Sequence, residues 1–91
     1  MPYVRHLVSL RLILRPRTLG ERKVAGILVE GRVGSDGSYV AVAGIGINVN
    51  QTLTDFPVEL RETAGSLAMA AGHSISRNKL AIALLQRLGQ L

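Results

Sequence analysis

Two apolar stretches in the middle of the chain predict a pair of β-strands. Residues 23–30 (KVAGILVE) and 39–49 (YVAVAGIGINV) are rich in β-branched side chains and have the length of buried strands. The intervening residues 31–38 (GRVGSDGS) are rich in Gly, Ser and Asp, which is typical of a turn. Asp36 followed by Gly37 favours a tight connection. We therefore expect an antiparallel β-hairpin.

Two helices are predicted after the hairpin. Ser66 is a good N-cap for a short helix that ends at Ala71, because Gly72 suits a helix C-cap. Ser76 is placed to cap a longer helix from Arg77 onward. One face of this second helix is apolar, and we expect it to cover one face of the hairpin. The apolar positions are Leu80, Ala83, Leu84 and Leu88.

The N-terminal pattern is less informative. Residues 4–14 are apolar with scattered arginines, and their period does not distinguish a helix from a strand. Pro16 and the polar residues after it break this stretch. The remaining order of strand, strand, helix, helix is an α+β pattern.

Composition and charge exclude several function classes. The 91 residues contain no cysteine, so disulfides and thiolate metal sites are excluded. His6 and His73 are isolated and give no metal-ligand spacing. The net charge of +5 arises mainly in the first 20 residues, which hold four arginines and no acid. No basic stripe with interleaved aromatics is present, so a nucleic-acid partner is not favoured. No apolar run is long enough for a membrane span.

A glycine pair marks the second predicted strand. Gly44 and Gly46 begin like a dinucleotide-binding fingerprint, but Val49 stands where the third glycine belongs, and the segment continues as a strand. Glycines inside a strand leave room for a ligand to approach the backbone. The alternative is a bulge or a tight packing contact.

Three polar residues lie at the ends of the predicted strands. Lys23 is either a solvated charge at a strand edge or a cation set against a carboxylate or phosphate. Asn48 is either a turn residue or an amide that holds a polar ligand group. Glu30 is either a solvated charge or a helper for Mg²⁺ near bound phosphates.

The order of these segments resembles the biotin–protein ligase family, also called the biotin–[acetyl-CoA-carboxylase] ligase family. The resemblance rests on residues 20–30 (GERKVAGILVE) and 44–51 (GIGINVNQ), in that order. Residues 56–67 (FPVELRETAGSL) and the helix from Arg77 are also similar. The resemblance covers about residues 19–91 and implies the central part of the family's catalytic domain, which has a class II synthetase-like fold.

The resemblance implies a two-step, ATP-dependent reaction. Biotin and ATP form biotinyl-AMP, and a lysine of a biotin carboxyl carrier protein then takes the biotin. Lys23 matches the family's catalytic lysine, and Asn48 matches a residue on the nucleotide side. Gly26, Gly44 and Gly46 match the ligand-binding strand segments, and Glu30 lies where an acidic Mg²⁺ helper is expected. Separately from the resemblance, the absence of cysteine suits a reducing cytoplasm, which is the location we expect.

The sequence also departs from the family pattern. It has no Gly-Arg-Gly-Arg loop, and residues 12–16 read Leu-Ile-Leu-Arg-Pro where the family has Lys-Trp-Pro-Asn-Asp. The family's small C-terminal β-barrel is also missing. We therefore expect a divergent basic segment at residues 1–18 and a partial catalytic domain at residues 19–91. A chain of this kind is not expected to complete the reaction alone.

A second interpretation belongs to a different class of protein. The chain would then be a small non-catalytic binding domain that retains the hairpin and uses its basic N-terminal segment to contact an anionic partner. Under either interpretation, open sheet edges predict self-association.

Overall fold

A three-stranded antiparallel sheet is the main feature of the computed structural model, which describes residues 3–90. Its strands are β1 (Tyr3–Ile13), β2 (Glu21–Val33) and β3 (Tyr39–Ile47), in the spatial order β1-β2-β3. Short 3-10 turns follow, and then helices α1 (Leu67–Ala71) and α2 (Arg77–Leu88). The α+β class is confirmed, and neither helix is long and apolar enough to cross a membrane within the described residues.

The predicted hairpin is confirmed. β2 and β3 pair from Ala25 opposite Ile47 to Val33 opposite Tyr39. In the connecting turn, Asp36 Oδ1 accepts hydrogen bonds from the Ser38 amide at 2.9 Å and the Ser38 hydroxyl at 2.6 Å. Gly37 has a φ of 84°, a left-handed conformation that favours glycine. The second strand ends at Ile47, two positions before the predicted end.

The N-terminal segment of ambiguous period is a strand. β1 pairs with β2 along its whole length and makes β2 the central strand. The register shifts once, because Leu10 lies opposite Ala25 whereas Arg11 lies opposite Lys23. Val24 is therefore an extra residue on β2, which is the geometry of a β-bulge.

Local capping chemistry sets the helix boundaries as predicted. The Ser66 hydroxyl accepts a hydrogen bond from the Met69 amide at 3.2 Å, and Gly72 ends α1 with a φ of 82°. The Ser76 hydroxyl accepts from the Lys79 amide at 3.3 Å at the start of α2. These bonds satisfy amides that the helix itself leaves without partners.

The packing predicted for α2 is wrong. The helix buries none of its residues, and Leu84 and Leu85 remain 37% and 69% exposed. The segment before α2 is fixed by Asn50, whose side chain exchanges two hydrogen bonds of 2.8 and 2.9 Å with the Ile75 backbone. Because Asn50 lies beyond the end of β3, α2 begins past the sheet rather than over its face.

A small core forms where β2 begins. Leu14, Val24 and Ser66 are fully buried, and Phe56 is 8% exposed. The Cα radius of gyration is 16.5 Å, whereas a compact domain of this length has about 12 Å. Many apolar side chains of the sheet are exposed.

Candidate functional site

A cleft of about 780 Å³ lies over one face of the sheet, where β2 begins and β3 ends. Five of the six residues expected to bind ligand or act in catalysis line it: Lys23, Gly26, Gly44, Gly46 and Asn48. The far wall is formed by Phe56, Leu60, Thr63 and Ala64 from the segment after β3. The fold thus gathers residues that are up to 25 positions apart in sequence into one concave surface.

The β-bulge places Lys23 on the cleft side of the sheet. Side chains alternate between the two faces of a regular strand, so Lys23 would share a face with Ala25 and Ile27. The extra residue Val24 shifts this alternation. Lys23 consequently lies on the same face as Gly26, and a methyl group built on Gly26 would be 3.7 Å from Lys23 Nζ.

The backbone of Lys23 is held by the segment on the far wall. Its amide donates to the Thr63 carbonyl at 2.8 Å, and its carbonyl accepts from the Gly65 amide at 2.9 Å. Its side chain is exposed and forms no salt bridge with a carboxylate among residues 3–90. The backbone of Lys23 is therefore held in place, and its side-chain ammonium is available to an anion.

Asn48 has a structural role at the cleft edge. Its backbone amide donates to the Val24 carbonyl at 2.8 Å, and its Nδ2 donates to the Gly65 carbonyl at 3.1 Å. Its own carbonyl accepts from the Leu67 amide at 2.9 Å, in the first turn of α1. These bonds leave the side-chain Oδ1 as the group of Asn48 that can accept a hydrogen bond from a ligand.

The two glycines of β3 form an open floor. Methyl groups built on Gly44 or Gly46 would meet no atom within 4 Å. Gly46 lies opposite Gly26, and Gly44 lies opposite Leu28, with no register shift between β2 and β3. Neither a bulge nor a packing contact in this chain therefore requires a glycine at these two positions.

Glu30 lies away from this cleft. It accepts a hydrogen bond from the Tyr3 hydroxyl, and this bond raises the pKa of Tyr3 above its ordinary value. No group of three or more His, Cys, Asp or Glu side chains among the described residues is placed to hold a metal ion. The described residues therefore form no cluster of metal ligands of their own, and Glu30 as a helper for Mg²⁺ stays a prediction.

Arg11 is a cleft residue that the sequence did not indicate. It comes from β1, lies opposite Lys23, and its Nε donates to Glu21 Oε1 at 2.9 Å. Because the period of the N-terminal segment did not distinguish a helix from a strand, the sequence did not predict which surface this arginine would lie on. Phe56 was also not predicted as a residue of the cleft wall. Its position in residues 56–67, which resemble the biotin–protein ligase family, could have indicated it.

Two curated proteins are similar to part of this chain. The bifunctional ligase/repressor BirA of Bacillus subtilis is 48% identical over 56 residues, which are 62% of this chain and 17% of that protein. BirA of Bacillus spizizenii is 46% identical over 56 residues, with the same shares. These matches support the biotin ligase family for this region. The match spans about a sixth of the length of these two curated relatives, and neither a protein-family model nor a solved structure matches the chain.

Proposed function

We propose that this chain is part of a biotin ligase catalytic domain and that its cleft binds the biotinyl-AMP intermediate. The observation that supports this most strongly is the convergence of Lys23, Gly26, Gly44, Gly46 and Asn48 in one cleft. The resemblance to the family assigns the same five residues on sequence grounds alone. The 48% identity to BirA supports the same family independently of the cleft.

The chemistry of the cleft suits an acyl-adenylate. Activation of biotin brings its carboxylate against the α-phosphate of ATP, so two anions must approach each other. The Lys23 ammonium would offset that repulsion where negative charge accumulates. The glycine floor leaves space for the ligand, and apolar side chains such as Leu28 and Phe56 would pack against the non-polar part of biotin.

We propose further that this chain alone does not ligate biotin to a carrier protein. The cleft is partly open to solvent, and the chain has no arginine-rich loop to enclose biotin and triphosphate. Orientation of reactants contributes about 7–11 kcal/mol to catalysis in well-ordered sites. A single lysine cannot replace that contribution. The carrier-protein partner and the cytoplasmic location stay predictions.

Calorimetry with synthetic biotinyl-AMP tests the proposed binding site. The unmodified chain is expected to bind it, and Lys23→Ala is expected to weaken binding by about tenfold, as loss of one charge-assisted contact would. Lys79→Ala on α2 is the matched control and should change nothing, because Lys79 lies outside the cleft. Absence of binding, or equal binding by the Lys23→Ala variant, would refute the proposal.

An activity assay tests the second proposal. The chain is incubated with ATP, biotin and a biotin carboxyl carrier domain, and labelling of the carrier lysine is measured. We expect no labelling above background. Robust labelling would show that the cleft is sufficient for both steps.

A non-catalytic binding domain is the second candidate function. The observation that favours it is the exposed apolar surface of the sheet outside the cleft, where Val8 and Ile27 lie side by side on neighbouring strands. Exposed apolar surface of this kind is typical of contact with another protein. Binding of a protein partner that persists when biotinyl-AMP binding is absent would favour this function.

A further inference from the structure

Two cations face each other across the β1–β2 pair at the cleft. Arg11 and Lys23 are register partners directly beside the bulge, and both line the cleft. Like charges directly opposite each other on neighbouring strands destabilise a sheet. The Glu21 carboxylate offsets part of this repulsion at Arg11, and a bound anion would offset the rest, so the arrangement is suited to a negatively charged ligand.

The free groups of Arg11 have the geometry for a phosphate. Its Nε is already bonded to Glu21, and the side chains of the pair remain 47% and 56% exposed. Among the described residues, no hydrogen bond engages the two terminal amino groups of the guanidinium. A guanidinium presents donors in a planar fork, which matches two oxygens of one phosphate better than an ammonium does.

We propose that Arg11 and Lys23 form a two-cation site for the phosphate group of a nucleotide. Lys23 supplies a point charge from the central strand, and Arg11 supplies a two-pronged contact from the edge strand. The identity of the ligand as an adenylate rests on the proposed function, whereas the anion site rests on the register and the cleft. Arg11 lies in the segment that departs from the family pattern, so the resemblance assigns it no role.

Titration with AMP, followed by the backbone amide signals of Gly26, Gly44 and Gly46, tests this site. We expect AMP to shift these signals in the unmodified chain. Arg11→Ala and Lys23→Ala should each weaken AMP binding by about tenfold, and Arg11→Lys should restore only part of the loss. Arg5→Ala is the matched control, since Arg5 is on the same strand but outside the cleft. Circular dichroism of each variant verifies that the sheet is retained.

The outcomes separate this proposal from the proposed function. Unchanged AMP affinity in Arg11→Ala overturns the two-cation site, and so does the absence of AMP-induced shifts at the three glycines. If Arg11→Ala leaves AMP affinity unchanged while Lys23→Ala abolishes biotinyl-AMP binding, the proposed function stands and this inference fails. If AMP binding depends on Arg11 while biotinyl-AMP does not bind, this inference stands and the proposed function fails.

Discussion

Individual glycines in this chain differ in whether the structure has room for a side chain at their position. A methyl group on Gly46 would enter open space in the cleft, whereas one on Gly65 would lie 2.9 Å from Leu14 Cδ2 and 3.0 Å from Arg22 Cβ. Gly65 also donates its amide to Lys23 and accepts from Asn48 Nδ2. One glycine is therefore available to a ligand, and the other is required by packing.

Substitution at these two glycines should separate binding from stability. Gly46→Val should leave the free energy of unfolding unchanged or slightly higher, because a β-branched residue favours a strand and meets no neighbour. It should weaken biotinyl-AMP binding by about tenfold or more by filling the floor of the cleft. Gly65→Ala should lower the free energy of unfolding by about 1–3 kcal/mol through overpacking. Urea denaturation and calorimetry measure both effects.

The opposite pattern would contradict this assignment. If Gly46→Val unfolds the sheet while Gly65→Ala leaves it intact, the glycine floor is a packing feature and not a ligand surface.

At the scale of elements, local chemistry was predictable and non-local geometry was not. The turn at Asp36 and the caps at Ser66 and Gly72 each depend on neighbours within a few residues, so the sequence was sufficient to place them. The pairing of Arg11 with Lys23 depends on the bulge at Val24, which is a property of two paired strands. The apolar face of α2 predicted that the helix packs against another surface, but the sequence did not specify which surface that would be.

The hairpin turn should respond to acid through Asp36. Hydrogen bonds from Ser38 lower the pKa of Asp36 below its ordinary value of 3.8, and the bond from the Ser38 hydroxyl contributes more than the bond from the Ser38 amide. A lowered folded-state pKa means that the carboxylate stabilises the turn fully above the ordinary value. That stabilisation is then lost as the pH falls through the lowered pKa of Asp36 in the folded state. The Ser38 amide signal, followed by NMR during acidification, should therefore titrate below 3.8.

Asp36→Asn is the control for this titration, because the amide keeps an acceptor oxygen and has no carboxyl proton to gain. A Ser38 signal that titrates at or above the ordinary value, or that titrates equally in Asp36→Asn, would show that Asp36 does not hold the turn.

For the whole molecule, the unpaired sheet edges and the open apolar face predict self-association. Val8 on the edge strand is 56% exposed, and it lies in a row with Ile27 and Ile45, which are 36% and 49% exposed. Apolar surface and unpaired strand edges both favour contact with another copy. Analytical ultracentrifugation should show a mass that increases with concentration.

A charge on the edge strand should reduce this association. Val8→Lys places a cation in the exposed row and should shift the chain toward the monomer, as lysines on natural edge strands do. Leu85→Lys on α2 is the control, since Leu85 is also exposed but lies outside the sheet. A monomer at all concentrations, or an equal effect of the two variants, would exclude the sheet as the contact surface.

The most direct test of the proposed cleft is to locate bound biotinyl-AMP on the chain by amide chemical-shift mapping. We expect the largest shifts at Gly26, Gly44, Gly46 and the Asn48 side-chain amide, with little change at Gly34 in the distant turn and Gly89 after α2. Shifts centred on the turn or on α2, or no shifts at all, would contradict the claim that these residues form one ligand-binding cleft.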